Sequence, residues 1–263
     1  MDALSKKQDN SLLAGNQDTS LLKILALCLM LIDHMGVVLF QNILEFRIIG
    51  RMAFPLYAWC LVVGSVKTKN IFNYGLRLLG LAIISQPLYM MALSHRWTEF
   101  NILFTLCIGL TAIGGIRAKW YGSHIWMPLL CFALLGFLRV DYGWQGIMFI
   151  LVLYGARKTR SGLLAAYVAY ALFWGSSSAP VTQMFGMSMS ILTSGGLGRV
   201  LASFFRLQGM VWLSLPLITL EFHSRIRLPK WLGYALYPLH LVLLILLRLG
   251  VNGATWEQIF MGF

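Results

Sequence analysis

An aspartate and a histidine stand side by side, Asp33 and His34, inside the otherwise apolar run 22–40 (LKILALCLMLIDHMGVVLF). A carboxylate and an imidazole together suit general acid–base chemistry, with the acid able to fix the tautomer of a histidine. An ionised Asp near a bilayer centre costs roughly 2.5–3.5 kcal/mol on insertion scales. With a rise of about 1.5 Å per residue, Asp33 lies roughly 16–17 Å into the run, past the middle of a ~30 Å hydrocarbon core. Both side chains must then face a protein interior or a wet cavity. The plainer alternative is interhelical hydrogen-bond glue, worth only about 0.6 kcal/mol on average.

Arg51, Gln86, Asn101, Asp141, Gln145 and His240 are further polar groups set into apolar stretches. Each has a bland reading as well. Arg51 can snorkel to an interface, Asn101 can cap a helix, Asp141-Tyr142-Gly143 can be an interfacial turn, and His240 a satisfied core histidine. Adjacent helical residues point about 100° apart, so Asp33 is free to pair with Arg51 or His240 instead of His34. Arg47 and Arg51, four apart, share a helix face.

The elements that must position these groups are membrane helices. Of 263 residues, 59% are hydrophobic and 11% charged, and the mean hydropathy is +0.74, values far outside those of a soluble domain. Apolar runs at 22–40, 48–66, 76–93, 101–116, 125–138, 142–156, 162–175, 207–220 and 231–249 give an all-α, polytopic integral membrane bundle of about nine helices. The run 181–192, about half a span long within a Gly- and Ser-rich stretch, is a re-entrant segment or a tenth span. Residues 1–20 read as a mobile polar tail, and 21–263 as a single transmembrane domain.

The net charge of +12 is scattered over short loops, which excludes a nucleic-acid stripe and fits the positive-inside pattern. With the N-terminus cytoplasmic, two thirds of the 21 Lys and Arg residues fall inside, and Asp33 and His34 belong to the outer half of the membrane. Trp120, Trp126, Trp144 and Trp231 read as interfacial anchors. The four cysteines lie in apolar runs without CxxC or metal-ligand spacing, so neither a disulfide framework nor a metal site is expected.

In order along the chain, LKxxALxxMxxDH on the first helix, GRMAFPLYAW at 50–59, RLLGLAIISQ at 77–86, NILFTL at 101–106, DYGWQG at 141–146 and LYPLHLVLL at 236–244 resemble the F-pilin acetylase family of conjugation systems, within a wider group of multi-pass membrane acyltransferases. The resemblance covers 22–244, with 157–230 contributing only hydrophobicity. It implies an inner-membrane enzyme that moves an acetyl group from acetyl-CoA to the N-terminal amine of a pilin subunit. The family's Asp-His pair falls on Asp33 and His34, its Gly-Arg on Gly50 and Arg51, its Asn on Asn101 and its late His on His240. Family members often carry Ser-Glu where this chain has Ser85-Gln86, and the acidic turn at Asp141 is not universal among them.

On that reading Asp33, His34, Arg51 and His240 are the catalytic candidates, with Arg51 and Asn101 as oxyanion stabilisers. Asn101, Gln86, Asp141, Tyr142 and Gln145 line the substrate cavity. Arg117, Lys119, Arg157 and Arg160 hold the CoA phosphates on the cytoplasmic side. Expected partners are the pilin subunit and membrane lipid, with no nucleic acid and no metal. A neutral His, with a reference pKa near 6.5, suits an α-amine that titrates near 7.7–8.0. Competing classes are an O-acetyltransferase acting on an envelope sugar or lipid headgroup, and a non-enzymatic transporter or scaffold. The chain has no inverted repeat of the kind transporters use.

Overall fold

The computed structural model describes residues 13–189 and 201–251, together with 196, 198, 253, 255 and 259. The first twelve residues of the polar tail and the end of the 181–192 run lie outside the described residues.

Short polar residues and prolines mark where the helices begin and break. Asp18 caps α1 (Thr19–Val38), its side chain accepting the Leu21 amide at 3.1 Å. The run expected over 48–66 is divided into α2 (Leu44–Gly50) and α3 (Ala53–Lys67), with a turn at Arg51 and Met52. Pro55 supplies the cause, because it has no amide to donate and its ring collides with the carbonyl four residues back, which belongs to Arg51. Asn70 caps α4 (Ile71–Leu93) by accepting the Asn73 amide, so this helix starts one turn earlier than its apolar run. Asn101 caps α5 (Ile102–Ala118).

Beyond α5 come α6 (Ser123–Leu134), α7 (Gly143–Ala156) and α8 (Arg160–Ser176). The run at 207–220 forms a 3-10 helix, Gly209–Ser214, followed by the short α9 (Leu215–Thr219). Pro216 in the first turn of α9 cannot donate backward, so one continuous α-helix is not available there. α10 spans Lys230–Val251. Two minimal ladders accompany the helices: β1 (Glu99–Phe100) lies parallel to β2 (Arg139–Val140), and β3 (Gln183–Met184) antiparallel to β4 (Met187–Ser188).

Among the described residues four helical stretches are long and apolar enough to cross a membrane: Thr19–Val38, Leu44–Lys67 (α2 and α3 taken together), Ile71–Leu93 and Trp231–Val251. Ile102–Ala118, Gly143–Ala156 and Gly209–Thr219 are shorter apolar helices. The protein is thus mostly helical and an integral membrane protein.

The chain divides into two compact units, one of Leu13–Tyr57 with Ala156–Arg227 and the other of Ala58–Gly155 with the chain from Leu228 onward. In the first, α1 and α2 form an antiparallel hairpin, and residues 13–18 of the polar tail run against 217–224. Asn16, fully buried, donates from its amide to Ile218 O at 2.6 Å and from its side chain to Leu217 O at 3.0 Å, and Asp18 accepts the Ser224 amide at 2.9 Å. Tyr167 on α8 donates to Val211 O at 2.8 Å, tying α8 to the 3-10 helix.

In the second unit α5 runs antiparallel to both α4 and α6. Ser123, at the start of α6, donates to Gly115 O near the end of α5. The β1–β2 ladder sets the N-termini of α5 and α7 side by side. α10 packs along α4 in parallel, with Arg248 donating to Met91 O at 3.0 Å near both C-terminal ends.

Candidate active site

Asp33 is buried on the late part of α1, and its carboxylate is held by two guanidinium groups. Arg51 Nη2 lies 2.8 Å from Oδ1 and 3.0 Å from Oδ2. Arg47 Nη1 lies 2.7 Å from Oδ2 and also donates to the Asp33 carbonyl at 3.3 Å. The two arginines reach one acid because they are four apart, at the end of α2 and in the turn that follows, and so share a face. Their environments differ. The Arg51 side chain is 6% exposed and that of Arg47 27%.

Two glycines make this approach possible. A Cβ on Gly36 would sit 2.6 Å from Phe46 Cβ, and one on Gly50 would sit 2.2 Å from Asp33 Cβ, both far inside ordinary contact. The cluster joins two guanidinium cations to one carboxylate. His34 is buried next to it in sequence.

Asp33 therefore pairs with Arg51, one of the partners left open by the 100° offset between adjacent helical residues. Arg47 was not among the candidates; its spacing from Arg51 put the two on one face but did not point to Asp33.

The second unit gathers Gln86, Asn101 and Asp141. Asn101 is fully buried and its side-chain oxygen accepts the Leu103 amide at 3.0 Å, the capping bond expected of it. Its Nδ2 donates to Ala82 O at 3.0 Å and to Gln86 Oε1 at 2.9 Å. Gln86 Oε1 also accepts the Asn101 amide, and Gln86 Nε2 donates to Glu99 O at 2.8 Å. These bonds fasten α4 to the start of α5 and occupy both protons of the Asn101 amide group.

The Asp141 amide donates to Phe100 O at 3.0 Å, extending the ladder, and the Asp141 carbonyl accepts the Thr105 hydroxyl. Tyr142 (φ 63°) and Gly143 (φ 53°) follow in the left-handed region, so Asp141-Tyr142-Gly143 is a turn that opens α7. A tyrosine there is strained where glycine is not. Tyr142 and Gln145 are half-buried beside it. Ser85, preceding Gln86, has a fully buried hydroxyl without a hydrogen-bond partner among the described residues.

At the same end, Glu99 lies below the usual carboxylate range. The Arg96 amide is the largest cause, followed by the His95 side chain 2.9 Å away. The His95 ring in turn stacks on Tyr89 at 4.8 Å. In the first unit, burial pushes the Asp18 carboxyl upward, but hydrogen bonds from Ser224 and the Leu21 backbone outweigh it and leave the group lowered.

His240 is buried on α10, two residues after Pro238, with its ring edge-on to Tyr237 at 5.0 Å. The basic candidates are divided between the units. Arg117 and Lys119 end α5 in one, Lys119 with φ 53°, and the Arg117 guanidinium donates to Ser65 O. Arg157 and Arg160 flank the start of α8 in the other, where Arg160 forms an exposed ion pair with Glu221 at 2.6 Å.

Residues 18–248, which take in every one of these groups from Asp33 to His240, match the family model described as TraX protein. The chain belongs to the TraX protein family. It is 31% identical over 189 residues to a Protein TraX of Escherichia coli, covering 69% of this chain and 74% of that protein. To Protein TraX of Escherichia coli strain K12 it is 29% identical over 188 residues, with the same coverage of 69% and 74%. It is 30% identical over 169 residues to the probable fimbrial assembly protein FimC, serogroup H1, of Dichelobacter nodosus, covering 57% of this chain and 67% of that protein. No solved structure matches. The TraX-family match includes 157–230, where the sequence words had contributed little.

Proposed function

We propose that the protein is a membrane-embedded N-acetyltransferase of the bacterial inner membrane that moves an acetyl group from cytoplasmic acetyl-CoA to the N-terminal amine of a conjugative pilin subunit. Membership of the TraX family supports this, and the fimbrial assembly role in the name of the Dichelobacter nodosus relative points to a surface-fibre subunit as acceptor. The observation that carries the chemistry is the ion-pair cluster of Asp33 with Arg47 and Arg51, next in sequence to the buried His34.

His34 accepts a proton from the pilin amine as the nitrogen attacks the thioester carbonyl. The carbonyl oxygen becomes an oxyanion, stabilised by the guanidinium groups of the cluster, with Arg51 as the more deeply buried donor. Collapse of the tetrahedral intermediate breaks the C–S bond, forms the amide and releases CoA, whose sulfur takes the proton back from His34. Asp33 holds Arg47 and Arg51 in place. Asn101, with both side-chain protons engaged in the scaffold, positions α5 instead of donating to the oxyanion, and His240 is a buried imidazole of the other unit.

The topology has nine spans with the N-terminus in the cytoplasm, so that Arg117 and Lys119 of one unit and Arg157 and Arg160 of the other are each candidates, on the cytoplasmic side, for the CoA phosphates. The parallel course of α4 and α10, and the antiparallel courses of α4 with α5 and of α5 with α6, support that alternation. Surface ion pairs such as Arg160–Glu221 are worth about 0–1 kcal/mol and yield readily to a phosphate.

Mass spectrometry of a mature pilin after incubation with membranes and isotopically labelled acetyl-CoA tests the reading. Label is expected at the pilin N-terminus with the intact protein and not with His34→Ala expressed at the same level. Label in envelope glycans or lipids in place of pilin would replace the acceptor; label unchanged in His34→Ala would remove His34 from the site.

A further inference from the structure

Within the second unit a cavity of about 640 Å³ opens between α4, α5 and α6, well inside the 300–1,000 Å³ range of small-ligand sites. Its walls are apolar. Phe72, Leu76 and Leu79 come from α4, Phe104 from α5, and Trp126 and Leu134 from α6. Several of these side chains are exposed, Phe72 at 70% and Leu76 at 50%. Small residues set its depth, since a Cβ on Gly75 or Gly114 would meet its nearest neighbour only at 3.9 or 3.7 Å. From Phe104 to Ala118 the wall runs about 21 Å along α5, longer than half of a ~30 Å hydrocarbon core.

The two ends of this groove differ in charge. One end is marked by Ile71, Ala118 and Trp120. There α3 finishes at Lys67, α4 begins just after Lys69, and α5 finishes through Arg117 to Lys119. No acidic residue occurs in 58–98 or 102–140 to offset these four cations. The opposite end, by Phe104 and Leu138, adjoins Glu99 and Asp141. A basic cluster at a membrane interface attracts anionic headgroups by about 1 kcal/mol per Lys or Arg, and Trp120 and Trp126 suit the same headgroup level.

We propose that this groove is a binding site for an anionic phospholipid, one acyl chain lying along Phe72, Leu76 and Phe104 while its phosphate rests at the Lys67–Lys69 corner of that end. A polar pantetheine arm does not match such walls, whereas a hydrocarbon chain does. The site stands independently of acetyl transfer, because its readout is binding.

The test is native mass spectrometry of the purified full-length protein with added phosphatidylglycerol or phosphatidylcholine of identical acyl chains. Phosphatidylglycerol should be retained in preference, and Lys67→Glu with Lys69→Glu should lower that preference by about thirtyfold or more while leaving phosphatidylcholine retention unchanged. Thr111→Trp, which places an indole in the groove from an exposed position, should remove both lipids, and Thr111→Val should keep them. If Thr111→Trp does not fold, Leu79→Trp fills the same groove. Equal retention of the two lipids by the wild type, or full retention by a folded groove-filling variant, overturns the site. Displacement of phosphatidylglycerol by acetyl-CoA at equal stoichiometry also overturns it, in favour of a nucleotide phosphate at the basic end.

Discussion

Gly50 lies so close to Asp33 that a methyl group added at Gly50 would sit 2.2 Å from Asp33 Cβ and 2.4 Å from its Oδ1. The glycine sits in the last turn of α2, directly before the arginine that the same aspartate binds, so the contact sets the spacing of the whole cluster. Gly50→Ala is expected to destabilise the protein by about 1–3 kcal/mol through overpacking and to abolish transfer, because the displaced carboxylate no longer holds both guanidinium groups. Thermal unfolding in detergent and the pilin assay check both effects. A variant with full activity would show that the α1–α2 hairpin relaxes without moving Asp33.

The two arginines should not be equivalent. Removing one member of a buried ion pair costs about 3–5 kcal/mol, whereas an exposed pair contributes about 0–1 kcal/mol. Arg51, at 6% exposure against 27% for Arg47, belongs nearer the first class. Arg51→Ala should therefore destabilise more than Arg47→Ala, and Asp33→Ala at least as much as Arg51→Ala, since it leaves two cations facing each other. Denaturant unfolding of the three variants gives the order. Equal losses for Arg47→Ala and Arg51→Ala would mean that the cluster is uniformly hydrated.

Acid should reveal Glu99. Its folded carboxyl is lowered by the Arg96 amide and the His95 side chain, so the stability it contributes is complete above its unfolded value, near 4.5, and is lost as pH falls through the lower folded value. Glu99→Gln should then be less stable than the wild type at pH 6, and the gap should close below about pH 4.5. Unfolding temperatures of both proteins across that range measure it, and a gap independent of pH would assign the difference to shape and not to charge.

The membrane character, the burial of Asp33 and His34 within α1 and the capping role of Asn101 were legible in the sequence because each rests on a local rule: an apolar run, an ionisable pair within it, an Asn before a helix. The division of the second helix at Arg51 was also written locally, in Pro55, but hydropathy averaged over a window conceals it. The Arg47 contact to Asp33 was not legible, because it depends on how closely α1 and α2 approach, and that depends on Gly36 and Gly50. The pairing of β1 with β2, Glu99 with Arg139 and Phe100 with Val140, left no trace in the pattern, since two-residue strands carry no periodicity.

Asn101 separates scaffolding from chemistry. Asn101→Ala removes the α5 cap, costing about 1 kcal/mol, and takes one donor each from the Ala82 carbonyl and from Gln86 Oε1, which keeps the Asn101 backbone amide, at about 0.5–1.5 kcal/mol per lost hydrogen bond. A loss of about 2–4 kcal/mol is expected in unfolding experiments. Asn101→Asp keeps an oxygen for the Leu103 amide but loses both donors, so it should recover the cap alone. If Asn101 positions α5, acetyl transfer per folded molecule stays close to wild type in Asn101→Asp, whereas an oxyanion donor would lose about 100-fold or more in kcat. Single-turnover acetylation normalised to folded protein distinguishes the two, and a kcat loss of that size without a loss of stability would return Asn101 to the catalytic group.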